Sequence, residues 1–344
     1  MLLPLVPSQV EQATPFAALA AYSGALRLWQ GQSLRVDAWH TFAALAGAGL
    51  RTSVGVGVSL MPLRHPAEAA MQARSIAATV GHPIVAGFGP GGRSFQAAVL
   101  GRPYASPIGA AREYLRIAGG LIKDGAVEYS GKYFSYAGEL PSLPTKPISL
   151  GLGVLRPAMA KLAGAEADAA ITWMTPASYV SDVIVPAVAE TATDAGRPRP
   201  RIVAMVPVAL ARRDRAAHEL ALASNAPHLQ AEHYLDMLRR AGADVRPGDL
   251  AHNGKAAIAA KAFLTGDLDE VLNGILEFKA AGVDEIVLNV TGLFNTYGPR
   301  VAVNELQVLL DHALRTLSSA STPSDSRIPT RALVSPIQQQ GVLA

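Results

Sequence analysis

TSVGVGVSLMPLRHPAEAAMQARSIAATVGHPIVAGFGPGG, residues 52–92, reads as strand, helix, strand. Thr52–Leu60 and Ile84–Phe88 are short apolar runs with no polar alternation, the pattern of strands buried on both faces. Between them Pro66–Val80 is alanine-rich and opens on proline, whose missing N–H costs nothing in a first helical turn. The same alternation extends in both directions. Further strands are expected at Leu2–Pro7, Ala25–Gln30, Ile148–Gly153, Ala170–Met174, Ile202–Ala209 and Glu285–Val290. Helical patterns lie at Pro15–Tyr22, Val36–Ala48, Ile108–Lys123, Pro157–Ala165 and Pro176–Ala195, and across Ala216–Ala241 and Leu268–Ala281. Eight such units predict an α/β fold, a (β/α)8 TIM barrel, more naturally than a doubly wound sheet. Two stretches exceed the βα spacing. Ala126–Pro147, after the fourth strand, reads as a hairpin insertion around Gly131, and a helical excursion from about Asn225 to Ala262 precedes the eighth strand. Residues 1–317 are expected to form one domain; 318–344, rich in Ser, Thr and Pro, read as a mobile C-terminal tail.

Three strand ends are rich in glycine: Gly55-Val-Gly57-Val-Ser59, Gly87-Phe-Gly89-Pro-Gly91-Gly92 and Gly151-Leu-Gly153-Val-Leu-Arg156-Pro157. Their starts lie one and two βα units apart, so all three fall at the C-terminal mouth of a barrel, where active sites of this architecture are built. Glycine there lets a ligand approach the backbone. The third leads into the helix PAMAKLAG, whose amides, with Arg156, could hold an anion; an ordinary glycine-rich turn is an equal reading. No GxxxxGK[ST] is present, and no acidic residue follows GFGPGG at the Rossmann distance.

Composition narrows the chemistry. With no cysteine, disulfides, thiolate nucleophiles and iron–sulfur clusters are excluded. A formal charge of +3, scattered along the chain, gives little footprint for nucleic acid. The N-terminus lacks a basic n-region, and no run is long enough to span a membrane, so a cytoplasmic protein is expected. There is no HExxH and no GxSxG; His228 and His233 are five apart rather than four, so no metal site is expected. His65 reads as a helix-start residue, and Glu113 with Arg112 as a structural ion pair.

Taken together, GVGVSLMPLRHPAEAAMQARSIAA (55–78), GHPIVAGFGPGG (81–92), AAREYLRIAGGLIKDGAVEYSGKYFSY (110–136) and PISLGLGVLRPAMAKLAGAEADAAITWM (147–174) resemble the luciferase-like monooxygenase superfamily. AGRPRPRIVAMVPVAL (195–210) and AGVDEIVLNV (281–290) extend the likeness over most of the chain. The branch it is most similar to uses the deazaflavin coenzyme F420 rather than FMN. The resemblance implies a cis Gly57–Val58 peptide bulging against the deazaflavin ring, with Ser59 and Met61 lining the same edge. It implies cofactor contacts from Gly89, Pro90 and Gly91, a phosphate held by Gly153, Val154, Leu155 and Arg156, and a mouth faced by Trp173 and Thr175. Core packing is an equal reading of Trp173.

The chain departs from the family after the second strand. Many relatives carry an acidic–His pair there; this chain has LWQGQSL (28–34). Glutamine hydrogen-bonds a substrate but is no general base, which disfavours alcohol oxidation. The resemblance therefore implies an F420H2-dependent reductase that transfers hydride to an activated C=C or C=N bond, with Trp29, Gln30, Gln32 and Trp173 around the substrate. LWQGQSL and MPLRHP are similar to members that accompany peptide natural-product pathways, implying a small-molecule or modified-peptide substrate such as a dehydroamino acid or imine. An F420-reducing partner enzyme and a homodimer are implied as well. The alternatives are an FMN-dependent monooxygenase and a non-catalytic flavin-binding barrel.

Overall fold

A computed structural model describes residues 1–319 except Val6 and Ser33. Its frame is a ring of parallel strands in the order β1 (Leu28–Gln30), β2 (Val54–Leu60), β3 (Ile84–Gly89), β6 (Ile148–Gly153), β7 (Ala169–Trp173), β8 (Arg201–Leu210) and β10 (Glu285–Asn289). The antiparallel pair β4 (Ala126–Ser130) and β5 (Ser135–Glu139) forms the expected hairpin. A short β9 (Leu264–Gly266) pairs beside the upper end of β8. The expected strand Leu2–Pro7 shrinks to a bridge at Leu2, because Pro4 and Pro7 have no amide to give a ladder. That bridge still closes the ring: Leu2 donates to Leu288 (2.9 Å), and Leu3 donates to the carbonyl of Trp29 (2.7 Å). The architecture is the (β/α)8 barrel the alternation predicts.

Helices surround the ring in chain order: α1 (Thr14–Tyr22), α2 (Ala38–Gly47), α3 (Pro66–Val80), α4 (Arg93–Leu100), α5 (Pro107–Lys123), α6 (Pro157–Glu166), the turn α7 (Ala177–Tyr179) and α8 (Val185–Asp194). They continue with α9 (Ala217–Asn225), α10 (Glu232–Arg240), α11 (Leu250–Ala259), α12 (Leu268–Ala280) and α13 (Thr291–Ser319), which breaks at Gly298 (φ 81°) before Pro299. Sequence patterning did not reveal α4, β9 or α13. Ser318 and Ser319 end α13; the rest of the expected tail, 320–344, lies outside the described residues.

Strand alternation divides the core in two. Leu2, Trp29, Val85, Ala169, Ile171, Val203, Met205 and Val287 fill the barrel, while the residues between them pack outward against the helices. At the N-terminal end Glu285, buried, pairs with Arg27 (3.3 Å) and accepts the Trp29 indole N–H (2.7 Å). In the hairpin, Glu113 corrects the expected pairing with Arg112. Its carboxylate instead accepts the amides of Lys132, Tyr133 and Phe134 at 2.6–3.0 Å, and so holds the β4–β5 turn onto α5.

Candidate active site at the barrel mouth

The mouth is organised around Val58. β2 slips register against β3 between Val56 and Ser59, and the Gly57–Val58 peptide is cis. Gly57 and Val58 therefore both face the barrel interior. A methyl group on Gly57 would stand 2.1 Å from Met205 Cε, and Val58 itself packs on the interior cluster. The other two glycine-rich tips meet Val58 from the neighbouring strands. A methyl on Gly89 would lie 2.7 Å from Val58 Cγ2, and one on Gly153 or Gly87 3.3 Å from Cγ1. The three tips thus converge on one rim, and a single aliphatic side chain stands in the clearing they leave.

One wall is aromatic. Trp173, the last residue of β7, points inward above Ile171 and donates its indole N–H to Asn225 (3.2 Å). His228 stacks on Trp173 with ring centroids 5.3 Å apart, Tyr234 meets His228 edge-on at 4.8 Å, and His233 lies 4.8 Å from Tyr234. His233 reaches the strand-three loop: its Cε1 is 4.0 Å from where a Gly92 methyl would be. Residues 225–240 thus span the mouth between the tips of β7 and β3. Burial lowers the His228 imidazole to about 4, with His233 adding to the effect, so it is neutral near pH 7.

The opposite wall is polar. Gln32 donates its backbone amide to the Val58 carbonyl (3.3 Å) and its side-chain amide to Asp37 (3.2 Å). Asp37 also caps α2 by accepting from Trp39 N (2.9 Å) and pairs with Arg64 (2.5 Å), which reaches Glu68 (3.3 Å). Gln32, Asp37, Arg64 and Glu68, with Leu34, Arg35, Leu63 and His65, line an open cavity of about 560 Å³. The two carboxyl groups differ. Burial raises Asp37, but Arg64, the Trp39 amide and Gln32 outweigh it and hold it below the usual carboxylate range. Burial raises Glu68; Arg64 opposes the rise and Asp37 adds to it.

The chain belongs to the luciferase-like monooxygenase family, whose profile matches residues 4–285. The fold is shared with an F420-dependent secondary alcohol dehydrogenase solved with an F420-acetone adduct (18% identity; 89% of this chain and 95% of that one; TM-score 0.70). It is shared also with the coenzyme F420 dependent tetrahydromethanopterin reductase of Methanopyrus kandleri (18%; 89% and 95%; 0.65) and a monooxygenase of Streptomyces bottropensis (16%; 90% and 93%; 0.67). No curated protein matches in sequence. No helix among the described residues is long and apolar enough to cross a membrane.

Gly57, Val58, Gly89, Gly153 and Trp173 come together at the mouth, with Gln32 at its polar edge; Pro90 and Gly91 follow Gly89 in the same loop. Other expected residues are placed elsewhere. Trp29 is 0% exposed and lies beneath Gly55 and Gly57 as barrel filling, with its N–H spent on Glu285, so it does not face substrate. The bulge turns Ser59 into register with Phe88, whose ring packs outward, and Ser59 and Met61 are buried away from the mouth. Val154 packs its side chain in the outer core and spends its amide on Ile171 O (2.8 Å), and Leu155 packs against the same core. Thr175 spends its hydroxyl on Trp173 O (3.1 Å). Gln30 is buried with neither side-chain amide atom hydrogen-bonded. Arg156 stands at the N-cap position of α6, where its side chain makes no capping bond, and pairs instead with Asp236 (3.2 Å). Sequence reading weighed His228 and His233 only as metal ligands and passed over Asn225, Tyr234 and Asp37. No local motif marks them, because the barrel and not the sequence spacing brings them to one rim.

Proposed function

We propose that this protein is an F420H2-dependent reductase delivering hydride to an activated C=C or C=N bond, with a dehydroamino acid or imine of a modified peptide as the favoured substrate class. The observation that carries the reading is Val58 standing in a clearing bounded by Gly87, Gly89 and Gly153, a cradle that side chains at those glycines would fill. Such a surface suits a flat tricyclic ring resting on Val58, with its phosphate toward Arg156 at the start of α6. When bound, the reduced deazaflavin supplies the hydride.

The chain's own groups act on the acceptor. Gln32 is held by Asp37, and Trp173 by Asn225, so both walls are oriented before substrate arrives. His228, neutral near pH 7, can donate an uncharged N–H to a developing negative charge. The absence of an acidic–His pair at the tip of β1 favours reduction over oxidation, which needs a strong base there. That the fold is shared with monooxygenases favours a second reading, an FMN-dependent monooxygenase.

Fluorescence titration with F420 and FMN, followed by mixing the protein with F420H2 and a panel of enones, imines and dehydroalanyl peptides, separates the readings. Micromolar F420 binding and substrate-dependent loss of F420H2 are expected. FMN binding with no F420 binding would overturn the reductase in favour of the monooxygenase, and stoichiometric binding without turnover would favour a non-catalytic barrel.

A further inference from the structure

A donor in the floor of the mouth is left unexplained by the fold. Asn289 is the last residue of β10. Val287 belongs to the barrel filling, while Leu288 and Val290 pack outward, so Asn289 is on the inner side, one layer above Val287. It is 1% exposed. Its Oδ1 accepts the amide (2.9 Å) and the hydroxyl (2.5 Å) of Thr291, and so caps the first turn of α13. Its Nδ2 bonds no described residue and is closed to water. Capping accounts for the oxygen alone. Serine or aspartate would cap as well and strand no N–H. A buried amide nitrogen without an acceptor is costly, and an acceptor from outside the chain would satisfy it.

Its neighbours leave the role to it. Val58, Gly89, Gly153, Trp173 and Pro207, which is in register with Asn289 on β8, share the floor. Trp173 has given its N–H to Asn225, and the others carry no polar side chain. Among the described residues of the floor, Asn289 therefore holds the unspent side-chain donor. Its strand also stands across the barrel from the clearing. β6, β7 and β8 separate β10 from β3 one way round the ring, and β2, β1 and the Leu2 bridge the other. A flat ring resting on Val58, between the tips of β2 and β3, has one face against the valine and turns the other toward β10.

We infer that Asn289 is a further catalytic residue, whose Nδ2 holds the carbonyl oxygen of an α,β-unsaturated carbonyl substrate lying between it and the hydride donor. The inference rests on the cofactor reading above and deepens it, narrowing the acceptor to a C=C bond conjugated with C=O. The reduced deazaflavin gives its hydride to the β-carbon, where the new C–H bond forms, and is left oxidised. The C=C pair moves between the α-carbon and the carbonyl carbon, the carbonyl pair moves onto oxygen, and the resulting enolate takes a proton from water at the α-carbon. A neutral amide N–H stabilises that oxyanion without giving up its own proton. An imine nitrogen has to gain a proton as the hydride arrives, and none of these floor side chains is an acid.

Asn289→Ser keeps an oxygen for the cap and removes the N–H. Asn289→Asp keeps shape and cap but puts an acceptor where the donor was, and replaces the serine variant should that one not fold. With F420H2 as reductant, kcat/KM for cyclohexenone should fall about 100-fold in either variant, while F420 affinity changes less than about twofold. A second readout needs no turnover. The affinity of para-nitrophenolate, an enolate mimic, for protein loaded with oxidised F420 should weaken about tenfold in the variants, followed by absorbance. A fall in kcat/KM of less than about threefold, a wild type that binds no para-nitrophenolate, or one that oxidises F420H2 with imines alone would overturn the inference and leave the reductase standing. A wild type that binds no F420 would remove the cofactor reading, and the inference with it.

Discussion

Val58 owes its place to the small size of its neighbours. Alanine at position 89 would put a methyl group 2.7 Å from Val58 Cγ2, closer than real contacts allow. Gly89→Ala should therefore displace Val58, cost about 1–3 kcal/mol of stability, and weaken deazaflavin binding roughly tenfold; thermal unfolding and fluorescence titration measure the two effects. Unchanged affinity would mean that nothing rests on Val58. His228 gives a second residue-scale test. Its folded value, about 4, lies below the ordinary 6.5, so the unfolded chain binds the extra proton more readily. Stability contributed by the neutral ring is full above about pH 6.5 and is lost as pH falls toward 4, by on the order of 2 kcal/mol. Urea unfolding at pH 7 and pH 4.5 should show this loss in the wild type and less of it in His228→Phe; equal slopes would refute the assignment. At this scale glycine was informative in the sequence, because its absent side chain speaks for itself. Trp29 misled for the opposite reason: an indole serves equally well as filling or as wall, and only the strand's inward register decides.

Elements repeat the same lesson with a different weight. Strands such as β3 and β8 were readable because an unbroken apolar run has few other homes, and α3 because its proline start and alanine face agree. α4 and β9 were not, being short; the helical pattern across 216–241 was legible, but not that residues 225–240 lie over the mouth. The hairpin was visible, but its fastening was not, since Glu113 lies about twenty residues from the amides it binds. Glu113→Ala should strip three donors of their acceptor and cost about 1–3 kcal/mol. Urea unfolding reads the loss, and limited proteolysis within 126–139 should accelerate. Resistance equal to wild type would show that the β4–β5 ladder holds the turn unaided.

For the molecule as a whole, closure of the barrel depends on a buried charge. Glu285 neutralises Arg27, reaches Arg201 (3.6 Å) and accepts from the Trp29 indole beneath the mouth. Glu285→Ala would leave a buried guanidinium and an indole N–H unpaired, and is expected to cost about 3–5 kcal/mol. The unfolding midpoint in guanidinium chloride checks it, and a loss under 1 kcal/mol would show the cluster to be hydrated. The ring of strands was legible in the sequence because it repeats; the clamp was not, because its members are 258 residues apart.

The last helix has a part in this as well. A methyl group on Gly292, in the first turn of α13, would meet the Leu220 carbonyl of α9 at 2.4 Å, and α9 ends at Asn225, which positions Trp173. During synthesis, then, a nascent chain can assemble most of the barrel before α13 has left the ribosome, yet the shelf behind the tryptophan arrives only with α13. A barrel closed through β10 but without α13 would hold Trp173 with nothing behind Asn225 to brace it.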